Sequence, residues 1–155
     1  MTRHFLRFSL GLLTAGLLAL PSWAQFRVEV SGVGLTQVPI AFAPLRGEEA
    51  SPQKISTIVQ ADLERSGQFR GVSAGVVVDE TQRPDISAMR QKGADALLTG
   101  SISRMADGRY DVRIRLWDVV RGQDLGAMSY TVVTGDLRLA SHRISDFVYE
   151  KLTGD

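Results

Sequence analysis

The stretch from residue 96 to residue 133 leaves this chain the least freedom. Two turn signals, Asp107-Gly108 and Arg121-Gly122, divide it into three runs. In the middle run Tyr110, Val112, Ile114 and Leu116 alternate with Asp111, Arg113 and Arg115. A side-chain period of two sends the first set to one face of a strand and the second to the other. Asp-Gly between two such runs is a strong hairpin signal, because both central residues of a type I′ turn need positive φ. The spacing predicts an antiparallel meander over residues 96–105, 110–116 and 125–133, with one buried face.

That face has to be covered, and the rest of the chain supplies amphipathic helices. Ser51 reads as an N-cap with Pro52 in the first helical position; Ile55, Ile58, Val59 and Leu63 then recur at three-and-four spacing until Ser66-Gly67. A second stripe, Ala140, Ile144, Phe147, Val148 and Leu152, follows an expected cap at Asp136 and ends at Thr153-Gly154. A shorter helix should start at the cap Asp85, run through Met89 to Lys92 and stop at Gly93. Residues 38–45, bounded by Pro39 and Pro44, read as a short buried strand. Residues 69–78 form a second strand candidate carrying Val72 and the triplet Val76-Val77-Val78, weakened by Gly71 and Gly75. The order β-α-β-α-βββ-α gives an α+β two-layer sandwich: a mixed, mostly antiparallel sheet ending in a three-stranded meander, with helices on one face.

Arg3 and Arg7 precede an uncharged apolar run over residues 8–20, then Pro21 and the small-x-small triplet Ser22-Trp23-Ala24. That order predicts a secretory signal peptide, residues 1–24, cleaved after Ala24. A membrane-spanning helix needs about twenty apolar residues, and this core is about thirteen long. Cleavage would take two of the 18 basic residues and none of the 17 acidic ones, leaving a nearly neutral chain with no electrostatic footprint for nucleic acid. Roughly 130 residues then remain, enough for one ordinary domain. The absence of cysteine suits a reducing compartment or an exported chain that avoids mispairing, so compartment rests on the signal peptide.

Immediately after the cleavage point, Phe26, Val28 and Val30 alternate with Arg27 and Glu29, and Ser31, Gly32 and Gly34 break the pattern. Residues 25–34 are read as an extended arm on a glycine joint, with an ordinary edge strand as the alternative. Residues 35–155 make up the α/β body.

Catalytic chemistry finds little support. His142 is the one histidine outside the signal segment, and its neighbour Ser141 points about 100° away on a helix, so the two cannot form a dyad. Asp146, four residues on, is its expected structural partner. Gly32-Val33-Gly34 lacks the third glycine and following helix of a phosphate cradle. Asp79 and Glu80 stand beside Arg83 in what reads as a solvated loop. Arg109, Arg113 and Arg115 share a polar strand face, balanced by Asp111, Asp118 and Asp124. Trp117 lies on the same face, where an aromatic among charges is a candidate contact residue. This reading assigns no enzyme activity, no cofactor and no metal.

Four blocks carry a family resemblance: Val38-Pro39-Ile40-Ala41-Phe42-Ala43-Pro44, Asp62-Leu63-Glu64-Arg65-Ser66-Gly67-Gln68-Phe69, residues 93–100 and the helix of residues 140–154. Through them the chain is similar to the TolB N-terminal domain family. It departs from the family's pattern at residues 71–83, a shorter loop, and at Leu45, where an aromatic usually follows the proline. The resemblance implies a periplasmic component of the Gram-negative Tol-Pal envelope system, serving outer-membrane integrity and constriction during division. It also implies that the mature N-terminal arm, here Gln25, Phe26, Arg27, Val28, Glu29, Val30, Ser31 and Gly32, binds the C-terminal domain of TolA. The family's β-propeller, which carries the site for the lipoprotein Pal, would follow Asp155, so the sequence reads as a truncated product. The competing expectation is an envelope assembly module resembling curli-secretion or penicillin-binding-protein activator domains.

Overall fold

The computed structural model describes residues 37–154, all of which belong to one compact unit. The predicted arm, residues 25–34, and the predicted signal peptide, residues 1–24, lie outside them. Eight main elements follow in the expected order: β1 (Val38–Phe42), α1 (Ile55–Arg65), β2 (Phe69–Ser73), α2 (Ile86–Gln91), β3 (Ala96–Arg104), β4 (Tyr110–Asp118), β5 (Gln123–Val132) and α3 (Leu137–Thr153).

They build one five-stranded sheet in the order β2-β1-β3-β4-β5. β1 pairs in parallel with β2 and β3, and β3, β4 and β5 form the longer antiparallel ladders of the meander. Pro39 is tolerated in the central strand β1 because its pairing with β3 begins only at Ile40, opposite Ala96. The β3–β4 turn differs from the predicted type I′ hairpin. The Gly108 amide donates to the Met105 carbonyl at 3.0 Å, which puts Ala106 and Asp107 at the centre and leaves Gly108 after them at φ +86°. This is the three-residue alternative, a turn followed by a left-handed glycine.

The main core lies between the sheet and the two long helices. Ile55, Val59 and Leu63 of α1 and Leu137, Ile144 and Val148 of α3 pack on Ile40, Phe42, Leu98, Val112, Ile114 and Leu116. Where the helices meet, Ser141 and Ser145 are buried and return their hydroxyls to the carbonyls of Leu137 and Ser141, so no polar group is orphaned by the close approach. Phe147 is only partly buried at the margin of this core, beside Gly126 and Lys151, whereas the helical stripe had placed it with the fully buried residues. A second, smaller cluster occupies the opposite face, where Met89 of α2 meets Ala41, Ala43, Leu97, Trp117 and Val119.

Three local expectations are corrected. α1 starts at Ile55, not Pro52: Glu48–Ala50 form a short 3-10 turn, and the Ser51 hydroxyl accepts only from the nearby Gln53 amide. The cap is the buried Glu48 carboxylate, which accepts from the Ser56 amide and hydroxyl at 2.6 Å each and from the Leu45 amide at 3.3 Å. Asp136 occupies the N-cap position of α3 but makes no side-chain cap bond, because its backbone (φ −97°, ψ 0°) already continues a 3-10 turn. β2 ends at Ser73, since its partner β1 ends at Phe42, and Val76 and Val77 are exposed. Asp85 does cap α2, its side chain accepting from the Ala88 amide.

Candidate functional site

With the long helices on one face, two concave features stand out among the described residues. The first is a groove of about 280 Å³ between α1 and α3, lined by Asp62, Leu63, Ser66, His142, Ser145, Asp146 and Tyr149. His142 Nδ1 lies 2.6 Å from Asp62 Oδ2, on the facing helix, and the Ser145 hydroxyl donates to the same oxygen at 3.1 Å. The expected His142–Asp146 pair is therefore replaced by a bond between helices. Burial opposes ionisation of Asp62, but hydrogen bonds from His142, Arg65 and Ser145 outweigh it, and its carboxyl sits below the ordinary value. A nucleophilic relay would need the serine on the histidine. Here both residues converge on the carboxylate, which is the geometry of a helix-to-helix clamp.

The second feature is a cleft of about 360 Å³ on the outer face of the meander, lined by Glu80, Thr81, Arg113, Ile114, Arg115, Ala127, Met128 and Ser129. One wall is the turn at residues 79–82. Asp79 organises that turn by accepting from the Thr81 amide (2.9 Å), the Thr81 hydroxyl (2.6 Å) and the Gln82 amide (3.1 Å), and it pairs with Arg46 at 3.2 Å. These contacts, led by the Thr81 hydroxyl, hold its carboxyl below the ordinary value. The solvated loop expected for Asp79 and Glu80 is thus overturned: they are 7% and 8% exposed. Arg83 does not pair with them but donates to the Gly122 carbonyl at 3.3 Å.

The floor includes Arg113 and Arg115 of β4, in line with Arg109 just before that strand. Arg113 pairs with Asp111 at 2.9 Å, Arg115 pairs with Asp124, and Arg109 pairs with Asp107, while Asp118 holds Arg121 instead. The row is charge-balanced, as the alternation suggested. Trp117 corrects the reading of an exposed contact residue. It shares the arginines' face but is 7% exposed, covered by the α2 cluster, with its indole N–H 3.4 Å from the Thr99 hydroxyl. The Arg115 guanidinium lies 5.9 Å from its ring centre. Among the described residues, two buried polar atoms, Glu80 Oε2 and Arg115 Nε, have no hydrogen-bond partner. Among the described residues no three His, Cys, Asp or Glu side chains converge as a metal site, and no helix is long and apolar enough to cross a membrane.

Sequence reasoning missed Asp62 and Glu80. Asp62 sits one helical turn from the stripe residue Val59, but its partner is eighty positions away, so only the predicted facing of the two helices could have suggested it. The predicted arm residues Gln25, Phe26, Arg27, Val28, Glu29, Val30, Ser31 and Gly32 lie outside the described part.

Comparison with known proteins bears on this body and the segment before it. The family model of the TolB amino-terminal domain matches residues 26–125. The chain is 69% identical over 144 residues to the Tol-Pal system protein TolB of Albidiferax ferrireducens, covering 92% of the chain and 34% of that protein. It is 66% identical over 158 residues to TolB of Polaromonas naphthalenivorans, covering all of the chain and 37% of that protein. The crystal structure of TolB from Acinetobacter baumannii superposes with a TM-score of 0.64 at 31% identity, over 76% of this chain and 29% of that one. The chain thus spans about a third of the length of the curated relatives it matches.

Proposed function

The chain belongs to the TolB amino-terminal domain family, a non-enzymatic part of the Tol-Pal system, and on that premise we propose that it works in the periplasm as a protein-interaction module whose residues 25–32 bind the C-terminal domain of TolA. The observation that carries this reading is the alternating strip Phe26, Val28, Val30 on a glycine joint, at the point where the family match begins. A strip of that kind adds a strand to an exposed sheet edge: its backbone supplies hydrogen bonds and alternate side chains fill pockets. Through this contact the module serves outer-membrane integrity and envelope constriction during division. Pal contacts belong to the propeller that follows this domain in the family, and nucleic acid has no place in the scheme.

Deletion of residues 25–32 tests the assignment. Calorimetry against the TolA C-terminal domain should show binding by the full chain and none by the deletion, with both melting at the same temperature. Undiminished binding by the deletion would move the site to the body. A collapsed melting temperature would make the strip an integral strand.

A further inference from the structure

The sheet separates two cores that are held with unequal strength. On the inner face α1 and α3 lay Ile55, Val59, Leu63, Leu137, Ile144 and Val148 on the strands. On the outer face the cover over Trp117 is the segment of residues 83–94, which contains α2. Of these residues only Pro84, Met89 and Ala94 are buried, and Met89 is the one long apolar side chain among them. Four of the eight buried residues in the outer cluster are alanines, so little apolar area holds the segment down.

The segment is pinned at both ends and lightly held between them. Upstream, the Gly100 amide donates to the Val78 carbonyl at 3.1 Å and Asp79 pairs with Arg46; downstream, the Asp95 amide donates to the Pro39 carbonyl at 2.8 Å. Between these pins α2 has six residues, well short of the roughly twelve to fifteen at which an isolated helix becomes even marginal in water. Among the described residues, its side-chain hydrogen bonds to the rest of the body come from two exposed arginines: Arg90 to the carbonyls of Val119 and Val120, and Arg83 to that of Gly122. Water competes for each of these, so their net worth is small. No strand pairing runs through the segment, because β2 ends at Ser73 and β3 begins at Ala96. Lifting it therefore breaks no ladder bond and leaves the inner core covered. What it uncovers is Trp117, whose indole N–H is tied only by a long contact of 3.4 Å to the Thr99 hydroxyl.

We propose that residues 83–94 form a lid that opens as a unit while the sheet, α1 and α3 stay folded, baring the apolar strip Leu97, Trp117 and Val119 beside the arginine row. Native-state hydrogen exchange on the isotope-labelled full chain, in water and in urea below the unfolding transition, tests this. The amides of Met89, Lys92 and Ala94 and the Trp117 indole N–H should be protected at least about tenfold less than the amides of Ile114 and Val148. Their exchange should barely respond to urea, because a lid exposes little surface, while that of Ile114 and Val148 rises steeply. Variants separate the two layers. Phe147→Ala weakens contacts that are intact in both the closed and the open lid, so it should speed exchange at Val148 about tenfold or more and leave the lid sites unchanged. Met89→Ala should speed the lid sites and the indole at least about tenfold. Arg90→Ala, at an exposed position, should speed them about threefold or more and serves should the Met89 variant misfold. Lid sites that follow Val148 in urea or in Phe147→Ala, an indole that stays protected while the α2 amides exchange, or indifference to both lid variants would each overturn the proposal.

Discussion

Glu48 offers the sharpest test of how this fold is assembled, because one carboxylate replaces a local helix cap. The side chain is buried and held from both ends. Its own carbonyl accepts from the Ser51 amide at 3.0 Å and from Lys54 Nζ at 2.8 Å, which fixes the 3-10 turn that aims the carboxylate at α1. Replacing Glu48 by Ala removes the acceptor for the Ser56 amide, an N-terminal donor of the helix, and for the amide of Leu45, a residue only 1% exposed. Losing a cap costs about 1 kcal/mol. Stranding a buried amide costs about 1–3 kcal/mol. The Ser56 hydroxyl is half-buried and can turn to water, so it adds little, and the expected total for Glu48→Ala is about 2–4 kcal/mol.

Glu48→Gln separates the two parts. The amide oxygen can still accept from the Ser56 N–H and the amide nitrogen can donate to the Ser56 hydroxyl, but that nitrogen then faces the Leu45 N–H, donor against donor. About half of the alanine cost should remain. Urea unfolding reads this directly: at an m-value of about 1–3 kcal/mol per molar, Glu48→Ala should lower the midpoint by about 1–2 M and Glu48→Gln by about half as much. A double-mutant cycle with Ser56→Ala should show only weak coupling, since that change removes the hydroxyl bond and keeps the Ser56 amide bond to Glu48. A midpoint shift below about 0.3 M for Glu48→Ala would refute the reasoning and return the cap to Ser51.

Two further outcomes follow from the α3 face. Ile144→Ala, at a fully buried position, should cost about 3–4 kcal/mol in urea unfolding, whereas Phe147→Ala at the core margin should cost about half of that despite the larger side chain. The Asp62 clamp should be visible in acid: a carboxyl whose folded value lies below the unfolded 3.8 contributes stability that is complete above that value and lost as pH falls through the folded one, so Asp62→Asn should flatten the fall of the urea midpoint below about pH 4.

The parts of the fold that rest on periodicity were legible. In β4 the alternation named both the buried face, Tyr110 to Leu116, and the arginine face, because a strand with one buried side leaves each residue only two destinations. Ile55, Val59 and Leu63 were legible for the same reason on a helix. Turn and cap chemistry was less so. Asp107-Gly108 marked the place of a turn but not its type, since a left-handed glycine serves both the two-residue hairpin and the three-residue one. Ser51-Pro52 is a stronger local start signal than anything around Lys54, yet a carboxylate eight positions upstream of Ser56 captured that helix end.

The site residues failed to show for a further physical reason. Whether a charged side chain is buried depends on what chain lies over it, and along residues 74–84 that cover is irregular. Gly100 of β3 donates to the Val78 carbonyl at 3.1 Å, which pins the segment beside the sheet where β1 has already ended. The bonds to Asp79 then fold the next residues over the outer face. Neither contact has a period, so Glu80 read as solvated when it is buried. Trp117 failed in the mirror-image way: the face was assigned correctly, but covering it took the small helix α2, fixed by Arg90 donating to the carbonyls of Val119 and Val120 at 2.8 and 2.9 Å. Alternation named the face for Trp117 and offered nothing for Glu80, and in both cases only the long-range contacts of the middle segment decided how much water reaches the side chain. The arginine-lined half that α2 leaves uncovered is therefore the half where a cleft stays open on the outer face.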